Sequence, residues 1–423
     1  MKKLNTSPIS GMQELLPDLQ TEFDRLKAGI EHAFKQHGFL HIETPTIDRT
    51  EILLAKAGGD TEKQIYKVVK TAETADDADQ ALRFDHTVPL ARYVVEHANA
   101  LAFPFKVTQI GRNFRGERAQ KGRFREFYQC DVDVIGWGKL ALGYDADVIS
   151  TLIAAMSTLP LPGKFLVRIS NRKLLSGLLE ALNLEQHATK IFDIIDHAEK
   201  VPPEATKAAL EELGIGSENV VKITTFIEIR GGRDEAVGKL QALGCENETF
   251  QEGVNELAIV LNRLEEQGLG DLVATDTKIV RGLDYYTGTV FETIVPEHRE
   301  IGSICGGGRY ENLAGNYSSQ PMPGVGGSIG LTRLFYLLQS FGYVKADAQK
   351  AIDVCVVPMS EAEFSMASEV AGKLRTEGKS VDIMYAGKGL GDKLKYASRV
   401  AKAAIVLGET ERESGKYQLK EFQ

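Results

Sequence analysis

The sequence predicts an α+β protein of two or three domains, and three observations carry that expectation. Paired alternating segments at 104–136 read as a long antiparallel hairpin, helical spacing fills 172–270, and strands alternate with helices from about 347 onward. The length agrees, since 423 residues leave at least one domain room for a sizeable core.

Taken in order, TEFDRLKAGIEHAFKQH (21–37) sets Phe23, Leu26, Ile30, Ala33 and Phe34 on one helical face, and Gly38 stops the helix. FLHIETPTI then reads as a short strand. Its Pro45 has no N–H for a ladder, which puts the strand at a sheet edge or a boundary. The hairpin arms FKVTQIGRNFR and RFREFYQCDVDVIG are joined by the polar loop GERAQKG. Alternation along the second arm places Phe124, Glu126, Tyr128, Cys130, Val132 and Val134 on one face. Arg125, Phe127, Gln129, Asp131, Asp133 and Ile135 take the other. Gln129, Asp131 and Asp133 in one row mean either solvent or the floor of a polar pocket.

RKLLSGLLEALNL, EATKAALEELGI, DEAVGKLQALG and FQEGVNELAIVLNRLEEQG all carry helical spacing, so 172–270 reads as a mainly helical insertion. Strand signals return at TKIVRGLDYYTGTVFETIV, turn at PEHRE and come back through IGSIC. GGGRYENLAG and GVGGSIGLTRLFYLLQSFG lead from glycines into a helix with an apolar stripe at Ile329, Leu334, Phe335 and Leu338. Beyond 347, AIDVCVVP, KSVDIMYA and AAIVLG read as strands separated by two helices, a small α/β domain.

Composition excludes several function classes. With 43% hydrophobic and 26% charged residues this is an ordinary globular chain, and no apolar stretch has the length of a membrane span. The N-terminus, MKKLNTSPISGMQELLPD, lacks the apolar core of a secretory signal. Cys130, Cys245, Cys305 and Cys355 are far apart and form no CxxC pair, which favours a reducing cytoplasm over a disulfide framework or zinc knuckle. A net charge of −9 and a pI of about 5.6 argue against indiscriminate coating of nucleic acid, though not against a local basic site. His32, His37 and His41 are interrupted by Gly38, and packing or surface roles suit them better than metal binding.

Against that acidic background, RNFRGERAQKGRFR (112–125) holds six Arg or Lys residues and one acid, Glu117. A hairpin tip charged for solubility is one reading; a contact with phosphate or nucleic acid, for which the planar guanidinium is suited, is the other. GVGGSIG lacks the βαβ context of a dinucleotide fingerprint and the GK[ST] of a P-loop, so its glycines point to close backbone packing or a close-lying ligand. RFDHTVPLARY adds Asp85 and Thr87 to the acidic face, and buried carboxylates there would want an ammonium, an arginine or Mg²⁺.

Together these stretches closely resemble the histidyl-tRNA synthetase family of class II aminoacyl-tRNA synthetases, along nearly the whole chain. GFLHIETPTI (38–47) looks like the first class motif, FRGERAQKGRFREFYQCDVD (114–133) like the second and GVGGSIGLTRL (324–334) like the third. RGLDYYTGTVFE (281–292) matches the histidine-specific motif, and GSICGGGRYENL agrees with the segment after it.

The resemblance implies a six-stranded antiparallel sheet flanked by helices, with a helical insertion and a C-terminal α/β anticodon-binding domain. The expected division is 1–171 and 271–342 for the catalytic core, 172–270 for the insertion and 347–423 for the anticodon-binding domain. It further implies activation of L-histidine by ATP with Mg²⁺ and transfer to tRNA(His) by a cytoplasmic homodimer, with no protein-held metal and no editing domain.

Arg115, Arg281 and Arg333 are then the expected catalytic residues, with Glu117 beside them for ATP. Asp85, Thr87 and Gln129 are expected at the α-ammonium of histidine, Asp133, Tyr285 and Tyr286 at the imidazole, and Arg118 and Gln120 at the tRNA acceptor end. GKGLGDKLKYASRVAKA, with Lys388, Lys393, Lys395, Arg399 and Lys402, is expected either to meet the anticodon stem-loop or to be a solvated helix face. His86 stands where the family commonly has an apolar residue and Cys305 where it has alanine. Further strand and helix are expected after KYQLKEFQ, which implies a shortened or atypical terminus. The rival expectation is a synthetase-like regulatory subunit of ATP phosphoribosyltransferase, which typically lacks the anticodon domain and erodes the adenylation residues.

Overall fold

Two ten-residue strands, Phe105–Phe114 and Glu126–Ile135, pair from Phe105 opposite Ile135 to Phe114 opposite Glu126, so the hairpin forms over its full length. The computed structural model describes residues 4–422 except 55–59, 73, 75–77, 121, 281–285, 312–313, 316, 345–349, 351 and 388 and the side chains of 60 and 61. The chain divides into two units, Met1–Gln13 with Lys27–Tyr343, and Glu14–Leu26 with Val344–Gln423.

The first unit is built on one nine-stranded sheet. Numbered along the chain, its strands are β1 (Leu40–His41), β2 (Phe105–Phe114), β3 (Glu126–Ile135), β4 (Leu166–Asn171), β5 (Arg230–Gly231), β6 (Val273–Asp276), β7 (Thr289–Ile294), β8 (Cys305–Tyr310) and β9 (Gly324–Ile329). They lie in the order β1-β2-β3-β9-β8-β7-β4-β6-β5. The six from β2 to β4 in that order pair antiparallel throughout, which is the expected sheet. Three additions widen it: β1 parallel to β2, β6 parallel to β4, and β5 against β6.

The segment FLHIETPTI does not form one strand. It splits into β1 and a separate strand, Ile47–Arg49, which joins a small three-stranded sheet, and Pro45 lies between the two. A residue without an N–H suits that gap better than either ladder.

Helix Gly143–Met156 packs on the sheet and is buried almost all round, as a helix layered between two neighbours must be. Leu152 reaches the bare backbone of Gly327 in β9, where a Cβ would fall 2.6 Å from its methyl carbon. Asp145 of the same helix meets Arg309 of β8, Nη2 to Oδ1 at 2.7 Å, a buried ion pair fastening helix to strand. Behind it, helix Glu248–Glu266 packs on helix Arg172–Ala181 through Gly177 and Gly253. A Cβ on Gly177 would sit 2.2 Å from the Phe250 nitrogen. Helix Pro17–Gln36 buries the five apolar residues that its spacing singles out and ends at Gly38, with φ at 80°.

In the second unit, β10 (Ile352–Pro358), β11 (Val381–Ile383), β12 (Ala401–Leu407) and β13 (Leu419–Glu421) make a sheet in the order β11-β10-β12-β13. The first three are parallel and β13 is antiparallel. Val354, Val356 and Ile405 pack under helix Phe364–Thr376, and Cys355, Val357 and Ala404 under helix Leu390–Val400. Lys393 departs from the expected basic face. It is buried, and its Nζ donates to the Pro358 carbonyl at 2.6 Å, so it caps the end of β10. Lys395 and Arg399 are exposed, and Lys388 lies outside the described residues.

The helix contact at Gly177 yields a test of the fold. Gly177→Ala should lower the stability of the first unit by about 1–3 kcal/mol, because backbone rather than a movable side chain opposes the added methyl. A urea unfolding midpoint unchanged from wild type would show that the two helices separate at no cost.

Candidate active site

Three strands place the polar row of β3 in a pocket. Across the sheet, Asp131 lies opposite Ser328 of β9, and Ser328 opposite Gly306 of β8. One row further, Asp133 lies opposite Gly326, and Gly326 opposite Gly308. The glycines are spatial requirements. A Cβ on Gly326 would fall 2.0 Å from Asp133 Oδ1, one on Gly308 2.9 Å from the Tyr286 ring, and one on Gly324 2.3 Å from the Tyr310 ring. The close-lying ligand that the glycine-rich stretch suggested is, in the first instance, the protein's own carboxylate and tyrosines.

The resulting cavity, about 130 Å³, is lined by Asp85, Thr87, Gln129, Asp133, Tyr286 and Tyr310 among others. Tyr310 donates its hydroxyl to Asp133 Oδ1 at 2.9 Å. Asp85 precedes helix Thr87–Glu96 and accepts the Val88 N–H at 2.9 Å through Oδ1. Burial pushes both carboxyls up. Asp133 reaches about 8, with Asp131 adding to the rise and the Tyr310 hydroxyl opposing it. Asp85 is also raised, against the pull of the Val88 N–H and Arg115. Burial raises the Tyr310 phenol well above its ordinary range, and the Asp133 carboxyl adds to that. A pocket with this many buried acids favours a ligand bearing positive charge and N–H donors.

A second cleft of about 420 Å³ shares walls with the first and is lined by Arg115, Glu117, Arg123, Phe124 and Arg333 among others. Arg115 and Gln129 line both. The Arg115 guanidinium is held between two rings, 4.3 Å from the centroid of Phe84 and 5.1 Å from that of Phe127, and its Nε donates to the Phe84 carbonyl at 3.3 Å. Arg333 donates from Nη2 to the Ile301 carbonyl at 2.8 Å. Its helix is fixed to β3 by the Tyr128 N–H, which donates to Thr332 Oγ1 at 2.7 Å. Cationic side chains around an open polar cleft suit an anion with several oxygens, a polyphosphate above all.

The structure thus brings together Asp85, Thr87, Gln129, Asp133 and Tyr286 in one cavity, and Arg115, Glu117 and Arg333 in the adjoining one. Arg118 and Gln120 are exposed in the loop between β2 and β3 and line neither. Arg281 and Tyr285, with Asp284, lie outside the described residues. Cys305 lies on the wall of the larger cleft as a buried thiol whose pKa burial pushes up, which makes it inert packing. Sequence reasoning missed Tyr310. Its signal was positional: in β8, Gly306, Gly308 and Tyr310 share one face, so a tyrosine ends a row that is otherwise bare.

The antiparallel sheet with this two-part site, together with the four-stranded second unit, defines a class II aminoacyl-tRNA synthetase. The model of the histidyl-tRNA synthetase family matches residues 11–334, and that of the anticodon binding domain matches 353–423. The histidine–tRNA ligase of Clostridium tetani is 42% identical over 100% of this chain and 96% of its own length, and that of Xanthomonas campestris is 41% identical over 100% and 93%. The crystal structure of histidyl-tRNA synthetase from Nostoc sp. superposes with a TM-score of 0.87 at 37% identity, covering 99% of this chain and 95% of that one. The chain belongs to the histidyl-tRNA synthetase family.

The raised carboxyl of Asp133 gives a pH test. Its folded value of about 8 lies above the unfolded value of about 4, so its contribution to stability is fully present below pH 4 and is lost as pH rises to 8. Asp133→Asn removes the titration. The melting temperature of the ligand-free variant should therefore rise relative to wild type from about pH 4 to 8, and the difference should be constant above that. A gap independent of pH would mean that Asp133 ionises freely in the folded protein.

Proposed function

We propose that the protein activates L-histidine with ATP and transfers it to the 3′ end of its tRNA, and that the two cavities divide the first step between them. The observation that carries this reading is Asp133 at the floor of the smaller cavity, with one oxygen engaged by Tyr310 and the other available to an imidazole N–H. Tyr286 lies alongside for the ring. A ring of equal size without nitrogen would leave the carboxyl unpaired, and such a mismatch is worth about 10⁴–10⁵ in discrimination, so no editing step is needed. At the other end, Asp85, Thr87 and Gln129 receive the α-ammonium, with Asp85 offering the oxygen that the Val88 N–H does not use.

ATP enters the larger cleft with Mg²⁺ as its substrate complex. The histidine carboxylate attacks the α-phosphorus, a P–O bond forms, and pyrophosphate leaves with the electrons of the broken bond. Two anions meet in that step, so the barrier is chiefly electrostatic and positional. Arg115 stands at the junction of the cavities, where carboxylate and α-phosphate come together, and its stacking between Phe84 and Phe127 holds the guanidinium before the reaction begins. Arg281 serves the same phosphate, while Arg333 and Glu117 serve the rest of the nucleotide. A hydroxyl of the terminal adenosine then attacks the carbonyl carbon of the adenylate and AMP leaves. Arg118 and Gln120, exposed beside the cleft, meet that end of the tRNA.

The working form is a cytoplasmic homodimer, with its catalytic core in 1–171 and 271–342, a helical insertion at 172–270 and an anticodon-binding domain from 347. Among the described residues no helix is long and apolar enough to cross a membrane.

Histidine-dependent ATP–pyrophosphate exchange without tRNA tests the reading. Wild type should exchange, and Arg115→Ala and Arg281→Ala should each lose at least ~10²-fold, the usual cost of one preorganised donor to developing charge. Near-normal exchange would remove either residue from the catalytic group. A folded wild type with no exchange at all would favour the regulatory subunit.

A further inference from the structure

A chain of hydrogen bonds runs from the ammonium end of the smaller cavity back through the sheet. Asn113 Nδ2 donates to Gln129 Oε1 at 2.8 Å, Gln129 Nε2 to Ser328 Oγ at 2.6 Å, and Ser328 Oγ to Asp131 Oδ1 at 2.5 Å. The other Asp131 oxygen meets His86 Nδ1 at 3.1 Å, with the two side chains 6% and 1% exposed.

Each link has a direction. A carboxylate only accepts, so Ser328 gives its proton to Asp131, and its lone pair takes an N–H from Gln129. The Gln129 amide is thereby oriented, and the acceptor it can offer a ligand is its carbonyl oxygen. A flipped amide would present N–H₂ to an ammonium and repel it.

His86 secures the far end. Its backbone is fixed by the Gln109 amide, which donates to the His86 carbonyl at 3.2 Å, and its ring by Asp131. Nε2 has no partner among the described residues and faces a separate cavity of about 310 Å³ lined in part by Arg83 and Gly111. The Nδ1 proton is therefore committed to Asp131. With the imidazole removed, one Asp131 oxygen is buried without a donor. The cheapest remedy is for the Asp131 carboxyl to turn that oxygen towards another donor, which breaks the Oδ1 link, and Ser328 then no longer fixes which end of the Gln129 amide it meets.

We propose that His86 is a positioning residue that, through Asp131 and Ser328, holds the carbonyl of Gln129 towards the α-ammonium of histidine. The proposal rests on the reading of Gln129 as an ammonium acceptor.

The test is kinetic and uses pyrophosphate exchange with the full chain. His86→Leu should raise KM for histidine roughly tenfold or more, with kcat and the KM for ATP within about twofold of wild type. His86→Gln, whose amide N–H replaces the donor, should restore KM to within about threefold of wild type. Imidazolepropionate, which is histidine without its amino group, should inhibit His86→Leu as well as it inhibits wild type.

An unchanged histidine KM in His86→Leu, or equal weakening of histidine and imidazolepropionate, would overturn the proposal. Should His86→Leu fail to fold, Ser328→Ala breaks the same chain one link on and must show the same selective loss. Gln129→Ala separates the two readings. If it leaves the histidine KM unchanged, the role of Gln129 itself is wrong; if it raises KM while His86→Leu does not, only the positioning role fails.

Discussion

Asp133 occupies its place only because the residue opposite it has no side chain. The 2.0 Å that would separate an added Cβ on Gly326 from Asp133 Oδ1 is an impossible contact, and Gly308 and Gly324 clear comparable space for Tyr286 and Tyr310. Three bare positions on two adjacent strands therefore hollow a cavity out of a sheet face that would otherwise be filled by its own side chains. The arrangement depends equally on register. Shifting β3 by one residue would turn Cys130, Val132 and Val134, all fully buried in the core, into the pocket and drive the acids into the core. The unbroken pairing from Phe105–Ile135 to Phe114–Glu126 keeps that from happening.

The cost of this construction is electrostatic. Asp85, Asp131 and Asp133 lie close enough that Asp131 raises Asp85 and both raise Asp133. Local devices contain the strain. The Val88 N–H supports Asp85, Tyr310 supports Asp133, and Ser328 with His86 supports Asp131. Each acid thus carries one or two fixed donors and retains some capacity for a cationic guest, which is how a buried acidic site remains compatible with folding.

Much of this was legible in advance where a periodicity survived intact. The face of β3 carrying Gln129, Asp131 and Asp133 followed from simple alternation because that strand has no bulge, and the apolar stripe of helix Pro17–Gln36 followed from its spacing. The polar character of RFDHTVPLARY suggested joining Asp85 and Thr87 to that face, but their roles and that of Arg115 came from family resemblance, since nothing local joins residue 85 to residue 129. Elsewhere the signal was lost for physical reasons. A strand of glycines has no alternation to read, so Tyr310 passed unnoticed at the end of one. Lys393 looked like part of a basic surface, and only the tertiary structure supplies the Pro358 carbonyl that draws it inward. FLHIETPTI carried enough β-forming residues for one strand, but the chain divides it between two sheets at its proline.

The guanidinium of Arg115 lies over the rings of Phe84 and Phe127 on the wall shared by both cavities, so it faces the contents of each. On the proposed reading, whichever guest arrives first meets a cation that its successor also needs, so each changes the affinity of the site for the other by the same factor. Coupling between nucleotide and amino acid is therefore carried by one side chain, and requires no moving domain to transmit it.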